Sequence, residues 1–290
     1  MKPGDKTEAA AGGRFRVATW NAISAEGLRR FPAHAYRVEK ALAEPDAILL
    51  RSHVLEAESV PASVKAIARS GAGVNNIPVA EMSRRGIPVF NAPGANANAV
   101  KELVMAAIFV AARNFVAAID GVRALAPGPD FEQRVEEGKK AFAGVEVRGK
   151  TLGVIGLGAI GGLVADAALK LGLRVVGYDP MVTGETVSRL PASVRLVASV
   201  DECFAAADFL TLHVPLSEGT RHLADARRIA LARPGAVLLN FSRAAIVDEE
   251  AVVAAVSEGR LKTYVCDFPS PRFAGHRGIT LDAVRARIPD

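Results

Sequence analysis

The chain has 290 residues, half of them apolar, and its 36 Lys and Arg exceed its 31 Asp and Glu to give a net charge of +5. This composition excludes global disorder, and the length corresponds to about two typical domains. The two cysteines form no CxxC pair, so they indicate neither a disulfide framework nor a zinc site, and we predict no bound metal. The positive balance fits either a nucleic acid or an anionic small molecule as partner.

The sequence contains no pattern typical of a membrane span or a secretory signal. Its longest apolar run, Leu103–Ala112, is far shorter than the ~20 residues that cross a bilayer, and residues 1–13 lack an apolar core. We therefore expect a cytoplasmic protein without a membrane partner, with a disordered tail over residues 1–13. The Lys and Arg residues are scattered, without a basic stripe interleaved with aromatics, which argues against a nucleic-acid partner.

The first part of the chain alternates short apolar runs with a helix-compatible segment. Strand candidates, each bounded by Gly, Pro or Asn, lie at FRVATW, Ala47–Leu50, Val64–Gly71 and Ile87–Asn91. Between the last two, Val79–Arg85 suits a helix that ends at Gly86. This alternation predicts an α/β layer over residues 14–97.

The middle of the chain is predicted to connect two domains. A long helix should open near Asn98 and run without a break to about Gly121, and Asn98 is also suited to cap it. The polar segment Ala126–Lys140, which contains two prolines, is predicted to be a loop or an exposed arm.

From Gly149 the chain again alternates apolar runs with helical segments. Strands are predicted, in this order, at GKTLGVIGLGAIG, RVVGYDP, VRLVAS, DFLTLHVP, GAVLLNFSR and TYVCDFP. Short, continuously apolar strands separated by helices are typical of a parallel sheet that is buried on both faces. We therefore predict a second domain over residues 98–281, followed by a short tail at 282–290.

The first strand of this second series runs directly into a glycine-rich turn that a helix follows. The turn has the spacing G-x-G-x-x-G and comprises Gly156, Leu157, Gly158, Ala159, Ile160 and Gly161. Its first glycine suits a tight turn, its second lets the backbone approach a pyrophosphate, and its third lets helix and strand pack closely. Phosphates could then lie at the helix N-terminus, whose N–H groups and dipole attract anions.

The next strand ends at Asp179, which Pro180 follows. Asp179 lies 23 residues after Gly156, close to the ~20 expected of the acid that binds the adenosine ribose. A carboxylate there would repel a 2′-phosphate, so the pattern predicts NAD as the cofactor in preference to NADP. From the turn alone, a glycine turn without a ligand and an S-adenosylmethionine site stay open as alternatives.

The glycine turn is one of six motifs that follow one another along the chain: SGAGVNNI, NAPGANANAVKELV, GKTLGVIGLGAIG, LTLHVPL, LLNFSRAAIVDEEAV and YVCDFPSP. Together they resemble the NAD-dependent D-2-hydroxyacid dehydrogenases over about residues 15–281, and most of all the branch that acts on 3-phosphoglycerate. The resemblance implies an α/β fold of two Rossmann-like or flavodoxin-like domains with parallel sheets. The substrate domain would occupy residues 14–97 and the nucleotide domain 98–281, with the active site in the cleft and a homodimer formed through the nucleotide domain.

The resemblance also implies roles for residues of the substrate domain. Arg51 and Ser52 would bind an anionic group of the substrate, because a guanidinium can fork onto a carboxylate or phosphate. The backbone at Ala72 and Gly73 would hold the substrate carboxylate, and Asn96 would contact the substrate.

In the nucleotide domain, Arg243 matches the family's catalytic arginine, which binds and polarises the 2-keto group and the carboxylate of the substrate. The predicted cofactor-binding residues are Gly156, Gly158, Ala159, Ile160, Gly161, Asp179, Pro180, His213, Pro215, Phe241, Ser242 and Asp267. His213 is interpreted as a contact to the nucleotide and not as an acid–base group. Phe241 and Ser242 are expected beside the nicotinamide ring, and Asp267 at its carboxamide.

Two catalytic groups of the family are not found at their expected places. Pro271 and Arg272 stand where the family's glutamate should follow the DFPS turn, and DAVRARIPD stands where its histidine should follow the strand GITL. General acid–base catalysis is worth about 10²–10⁴-fold, so the loss would slow the reaction. His276 is the nearest substitute, but it precedes that strand. On this resemblance, we interpret residues 282–290 as a truncated or out-of-frame tail, without the family's helix that returns to the substrate domain.

The sequence therefore predicts NAD-dependent oxidation of a D-2-hydroxy acid. The favoured reaction is 3-phosphoglycerate to 3-phosphohydroxypyruvate, at the entry to serine biosynthesis. One alternative is a non-catalytic NAD(H)-binding sensor or partner-binding module that has lost its acid–base histidine. Another is a dehydrogenase of a different 2-hydroxy acid, such as glycerate or lactate.

Overall fold

A computed structural model describes residues 13–21, 23–40, 42–268 and 270–273, together with the backbone of 279–281. The chain divides into two compact units, one that ends at Asn96 and one that begins at Ala97. Each unit is built on its own sheet, and every strand pair in both sheets is parallel. The predicted fold class, two Rossmann-like or flavodoxin-like α/β units with parallel sheets, is confirmed.

The first unit has a five-stranded sheet in the flavodoxin-like order β2-β1-β3-β4-β5. Its strands are β1 (Phe15–Trp20), β2 (Tyr36–Lys40), β3 (Ala47–Leu50), β4 (Ala66–Arg69) and β5 (Val89–Phe90). Its helices are α1 (Ala25–Leu28) and α2 (Val79–Arg84). The central strands and α2 form the core, whose fully buried side chains include Ile48, Leu50, Ile67 and Met82.

The second unit has a seven-stranded sheet in the order β12-β11-β10-β9-β6-β7-β8, which is the Rossmann order with one added strand. Its strands are β6 (Thr151–Ile155), β7 (Arg174–Tyr178), β8 (Val194–Leu196), β9 (Phe209–Leu212), β10 (Ala236–Asn240), β11 (Leu261–Cys266) and β12 (Ile279–Leu281). The strand predicted at GITL is therefore present, as β12 beside β11.

Helices cover both faces of this second sheet. The helices of this unit are α3 (Ala97–Arg113), α4 (Phe115–Arg123), α5 (Phe131–Gly138), α6 (Ala159–Lys170), α7 (Gly184–Arg189), α8 (Val200–Ala206), α9 (Ala226–Leu231) and α10 (Glu249–Ser257). Apolar residues of α3 and α6 join one core cluster, and those of α8, α9 and α10 join another. Because both faces are covered, β6, β9 and β10 are buried along their whole length, which explains their continuous apolar sequences.

The single long helix predicted from Asn98 is wrong, because the helix breaks at Asn114. Asn114 has a left-handed backbone (φ 53°), and α4 continues from it at an angle of 60° to α3. The Asn114 Nδ2 donates to Ala143 O (2.9 Å), so a hydrogen bond to a segment 29 residues later holds the break. Among the residues that the structure describes, no single helix is long and apolar enough to cross a membrane.

Two smaller predictions around this helix are also corrected. Asn98 does not cap α3, because the helix already begins at Ala97, and the Asn98 side chain donates instead to Glu102 one turn later (2.8 Å). The segment Ala126–Lys140 is not a loop throughout, because it contains α5. That helix has no buried residue, so its exposure matches the prediction although its helical backbone does not.

Candidate functional site

The predicted site residues of the second unit cluster at the carboxyl ends of its strands. The order of the sheet reverses between β6 and β9, which are neighbours although two strands separate them along the chain. Loops diverge at such a point, and in open α/β sheets this crevice is where ligands bind. The glycine turn follows β6, and His213 follows β9.

The three glycines of the turn have different surroundings. A Cβ on Gly156 would lie 2.6 Å from His213 O, and a Cβ on Gly161 would lie 1.9 Å from Gly156 O, so neither position tolerates a side chain. A Cβ on Gly158, in contrast, would meet nothing within 4 Å. The first and third glycines therefore serve packing, and the second leaves open space where a ligand can approach the main chain.

The helix that follows the turn has a free N-terminus. Gly158 occupies the cap position of α6 and has no side chain, so among the described residues the first amides of the helix have no side-chain cap. In the same unit, the Ser199 side chain caps α8 and the Asp248 side chain caps α10. The amides and positive dipole end of α6 are therefore available to an anion, which fits the pyrophosphate of a dinucleotide.

Asp179 follows β7 and is hydrogen-bonded to the glycine turn. Its Oδ2 accepts from Leu157 N (2.8 Å), and its Oδ1 accepts from Met181 N (2.8 Å). The carboxylate therefore has a fixed orientation beside the turn and retains lone pairs for a ribose hydroxyl. Pro180 follows directly and is exposed.

His213 directly follows β9 and is hydrogen-bonded to the neighbouring strand β6, at the point where the order of the sheet reverses. Its backbone N donates to Ile155 O (2.7 Å), and its ring Nε2 shares a hydrogen bond with Thr211 Oγ1 (2.9 Å). Its Nδ1 is buried and has no partner among the described residues. Burial lowers the pKa of His213 to about 4, so the ring is neutral at pH 7. Pro215, two residues later, is exposed.

Arg243 lies on the loop after β10, and its guanidinium is exposed. Its Nη1 donates to Ser242 O (2.6 Å), and the Ser242 Oγ donates to Leu212 O at the end of β9 (2.6 Å). The buried Asn240 donates from Nδ2 to Arg243 O (2.9 Å) and accepts from Ser242 N (3.1 Å). Side-chain hydrogen bonds thus fix the loop that carries the guanidinium.

Of the other predicted residues of this edge, Phe241, Asp267 and Ile160 are partly buried and Ala159 is exposed. Phe241 packs against the core cluster that contains α3 and α6. Asp267 follows β11, and Ala159 and Ile160 form the first turn of α6. The structure therefore brings the predicted residues after β6, β7, β9, β10 and β11 to one edge of one sheet. No group of three or more His, Cys, Asp or Glu side chains in the described part of the chain is arranged to hold a metal ion.

The first unit also gathers its predicted residues at the carboxyl edge of its sheet. Arg51 and Ser52 follow β3 and are exposed, and Ala72 and Gly73 lie in the turn after β4. Asn96 is exposed and immediately precedes α3.

Two asparagines that sequence reasoning missed hold these loops together. Asn76 Nδ2 donates to Arg51 O (3.2 Å) and to His53 O (2.6 Å), and Asn91 Nδ2 donates to Ala72 O (2.6 Å). Asn91 begins a motif quoted above, but nothing in that motif indicates its partner. Sequence reasoning also missed Asn240. The signal that could have revealed it is a polar residue at the end of an otherwise apolar, buried strand.

Arg272 stands where the resemblance leads one to expect a glutamate. Its Nη1 lies 2.5 Å from Glu250 Oε1, and its Nε lies 4.0 Å from Glu249 Oε2 on α10. The guanidinium is therefore paired with the first turn of α10. His276 and the tail 282–290 lie outside the described residues.

The second unit matches a known family in sequence. A family model described as "D-isomer specific 2-hydroxyacid dehydrogenase, NAD binding domain" matches residues 105–283. The chain belongs to the D-isomer specific 2-hydroxyacid dehydrogenase family. The matched domain of these dehydrogenases binds NAD, which agrees with the uncapped α6 and with Asp179 and confirms the predicted cofactor.

Two relatives with different names illustrate the similarity to individual proteins. The D-3-phosphoglycerate dehydrogenase of Methanocaldococcus jannaschii is 39% identical over 204 residues, which are 70% of this chain but 37% of that protein. The hydroxypyruvate reductase of Thermotoga maritima is 36% identical over 225 residues, which are 77% of this chain and 68% of that protein. The chain therefore spans little more than a third of the first relative and about two thirds of the second.

Solved structures agree with the fold of both units. The TT0316 protein from Thermus thermophilus is 26% identical with a TM-score of 0.76, and the match covers 92% of this chain and 88% of that one. The holo form of Rhodotorula graminis D-mandelate dehydrogenase has a TM-score of 0.78 at 24% identity, over 93% of this chain and 87% of that one. The second match concerns the fold alone.

Proposed function

We propose that this chain oxidises a D-2-hydroxy acid to the 2-keto acid with NAD, and that 3-phosphoglycerate is the substrate. The observation that carries this proposal is the position of Arg243, on a loop fixed by hydrogen bonds at the same sheet edge as the glycine turn and the uncapped α6. The name of the Methanocaldococcus jannaschii relative supports the choice of substrate.

The residues of the second unit divide the work of holding the cofactor. Gly158 and the amides of α6 would receive the pyrophosphate, and Asp179 would bind the ribose. Bound NAD supplies a hydride acceptor. The other residues proposed to line the cofactor are Gly156, Ala159, Ile160, Gly161, Pro180, His213, Pro215, Phe241, Ser242 and Asp267.

Arg243 is proposed to orient the substrate and polarise its reacting carbon–oxygen bond. A guanidinium presents five N–H donors in a rigid fork, which can bind a carboxylate and an adjacent keto oxygen together. On the first unit, Arg51 and Ser52 would bind the phosphate of the substrate, and the backbone at Ala72 and Gly73 would bind its carboxylate. Asn96 would also contact the substrate.

The proton of the substrate hydroxyl also needs an acceptor. His213 is a poor choice, because burial lowers its pKa to about 4 and its Nε2 is already bonded to Thr211. Arg272 presents only N–H donors and no acceptor, and it is paired with Glu250, so it cannot serve as the base. Because neither His213 nor Arg272 suits the role of proton acceptor, a second candidate function is an NAD(H)-binding protein without efficient turnover.

Binding and turnover separate these candidates. NADH titrated into the protein should bind with micromolar affinity, and Gly158→Val should abolish binding because its side chain would fill the open space at the turn. Absence of NADH binding by the wild type would contradict both candidates. Measurable turnover of 3-phosphoglycerate that Arg243→Ala removes supports the dehydrogenase, whereas tight NADH binding without turnover of any 2-hydroxy acid supports the second candidate.

The choice of hydroxy acid is tested at Arg51. If its guanidinium binds the phosphate, Arg51→Gln should weaken 3-phosphoglycerate binding about tenfold or more and leave glycerate binding within twofold. Trp20, the only tryptophan of the chain, contacts His53 in the same unit (5.0 Å between ring centroids) and offers a fluorescence signal. Equal effects on both ligands would favour a non-phosphorylated substrate such as glycerate or lactate.

We further propose a homodimer formed through the nucleotide unit. Four large apolar side chains of α4 are 43 to 50% exposed, namely Phe115, Val116, Ile119 and Val122. An apolar patch of this kind on one nine-residue helix is typical of a protein interface. Light scattering should report a dimer for the wild type and a monomer for Ile119→Glu. An unchanged mass for this variant would contradict the proposed interface.

A further inference from the structure

Asn240 is one of the few polar side chains in the core of the second unit. It is fully buried at the carboxyl end of β10, between Leu212 of β9 and Cys266 of β11 in the sheet register. Burial of an amide without partners costs free energy, so such a group is expected to be fully hydrogen-bonded.

Each polar group of the Asn240 amide has a partner of the right kind. The two Nδ2 hydrogens point to Arg243 O (2.9 Å) and to Tyr264 Oη (3.3 Å), and Oδ1 accepts from Ser242 N (3.1 Å). Two of these three bonds go to the backbone of the loop that carries the guanidinium. Because donors and acceptor lie on different sides, the amide fits in one orientation only.

The rest of the network leaves the loop little freedom. Ser242 Oγ donates to Leu212 O (2.6 Å), and Ile246 N also donates to Arg243 O (3.2 Å). The buried Tyr264 is the third partner of Asn240, and it lies on β11. The carboxyl ends of β9, β10 and β11 are thus joined through side-chain hydrogen bonds at the base of Arg243.

We propose that Asn240 is a positioning residue for Arg243, and that it sets the place of the guanidinium by holding the backbone of residues 242 and 243. The inference rests on the proposed function, in which Arg243 binds the substrate. A displacement of a binding group by about 1 Å can cost ~10²-fold in a reaction, so the effect should be large although Asn240 itself does not touch the substrate.

Binding of oxalate to the NADH-loaded protein tests this role without turnover. Oxalate carries a carboxylate beside a second carbonyl, as a 2-keto acid does. Asn240→Leu keeps the size of the side chain and removes every polar bond, so it should weaken oxalate binding about 10- to 100-fold and leave NADH affinity within threefold. Leu238→Ala is the matched control, because it truncates a buried side chain of the same strand outside the network and should leave oxalate affinity within threefold.

A double-mutant cycle tests whether Asn240 acts through Arg243. In the Arg243→Ala background, adding Asn240→Leu should change oxalate affinity by less than twofold. Additive losses would overturn the proposal, as would equal losses in Asn240→Leu and Leu238→Ala.

Asn240→Asp adds a readout that a purely structural role would not move. A protonated Asp can donate to Arg243 O and accept from Ser242 N, whereas an ionised Asp repels that carbonyl oxygen. The titratable side chains beside it, Tyr264 and Cys266, stay neutral because burial raises the pKa of both. Oxalate affinity of this variant should approach wild type at pH 5 and fall as the pH rises to 8, while NADH affinity stays constant. A flat profile would contradict the proposal.

A nuclear magnetic resonance measurement decides the question even if the proposed function fails. The Arg243 Nε–Hε signal, assigned by its loss in Arg243→Ala, should be resolved in the wild type and merge with those of mobile arginines in Asn240→Leu. An unchanged signal would overturn the positioning role. Failure of the NADH-loaded wild type to bind millimolar oxalate would instead overturn the proposed function and leave this measurement as the deciding one.

Discussion

The glycine turn after β6 and the Arg243 loop after β10 lie at the same edge of one sheet, but they are held in opposite ways. The glycine turn depends on missing side chains, because a Cβ at Gly156 or Gly161 would overlap main-chain atoms. The Arg243 loop depends on side chains that are present, because Asn240 and Ser242 bond its backbone to the neighbouring strands. Steric exclusion therefore dominates in the glycine turn, which Asp179 also bonds at Leu157 N (2.8 Å), whereas side-chain hydrogen bonds dominate in the Arg243 loop.

This difference determines how each loop should respond to mutation. One added methyl group can disrupt the whole glycine turn, because it overlaps main-chain atoms. A substitution in the Arg243 loop, in contrast, removes only the hydrogen bonds of the side chain that is changed. His213 follows β9, the strand that lies between the glycine turn and the Arg243 loop. Its carbonyl oxygen lies beside Gly156, and the residue before it, Leu212, accepts the hydrogen bond from Ser242.

The largest effect is expected for Gly161→Ala. Its Cβ would lie 1.9 Å from the Gly156 carbonyl oxygen, and no flexible side chain can move away, so the free energy of unfolding should fall by about 3 kcal/mol or more. Gly158→Ala in the same turn is the matched control and should stay within about 1 kcal/mol of wild type. Equal destabilisation of the two variants in urea unfolding would show that steric exclusion does not distinguish these glycines.

An intermediate effect is expected from His213 as the pH falls. The folded-state pKa of about 4 lies below the unfolded value of 6.5, so the unfolded chain binds the proton first. The contribution of neutral His213 is complete above pH 6.5 and is lost between pH 6.5 and 4, for a total of at most about 3 kcal/mol.

The difference in unfolding free energy between wild type and His213→Asn should therefore shrink or reverse over that range, which chemical denaturation at several pH values can follow. His222→Asn is a suitable control, because His222 is exposed and its left-handed backbone (φ 49°) suits asparagine. Parallel pH profiles for wild type and His213→Asn would contradict the prediction.

The smallest effect is expected for Ser242→Ala. It removes one hydrogen bond, to Leu212 O, while both bonds from Asn240 to the loop remain, so the loss of stability should be about 1 kcal/mol. A thermal or denaturant melt measures this, with Ser188→Ala as control, because the Ser188 hydroxyl bonds locally within the exposed α7. A loss above about 3 kcal/mol would mean that the Arg243 loop fails as a unit.

The contrast between the two loops also explains what the sequence could predict. Steric exclusion requires glycine at fixed local spacing, so the turn and the distance to Asp179 are visible in the sequence. The Asn240 network joins residues from three strands, and an asparagine gives no local sign of such partners. The parallel sheets were predictable for a related reason, since burial on both faces makes β6, β9 and β10 continuously apolar.

The missed elements depend on contacts between distant segments. The break at Asn114 depends on Ala143, 29 residues later, and on Gly144, where a Cβ would lie 2.5 Å from Ala112 O. The strand β2, with sequence YRVEK, is a half-exposed edge strand with three charged residues out of five, so it has no apolar run to mark it. The helix α5 buries no residue, and its two apolar side chains, Phe131 and Val135, form too short a stripe to distinguish it from a polar loop.

The order of the second sheet has a consequence for how the protein folds. β6, β7 and β8 are consecutive, so they can pair early, but β9 must return to the free edge of β6 from 57 residues further along, where Phe209 pairs with Leu152. The turn at Gly156 rests against His213, which arrives with β9. The cofactor site is therefore completed only when the two halves of the sheet join. Because NAD binds only the completed site, it should stabilise the folded chain by raising the free energy needed to separate the two halves of the sheet.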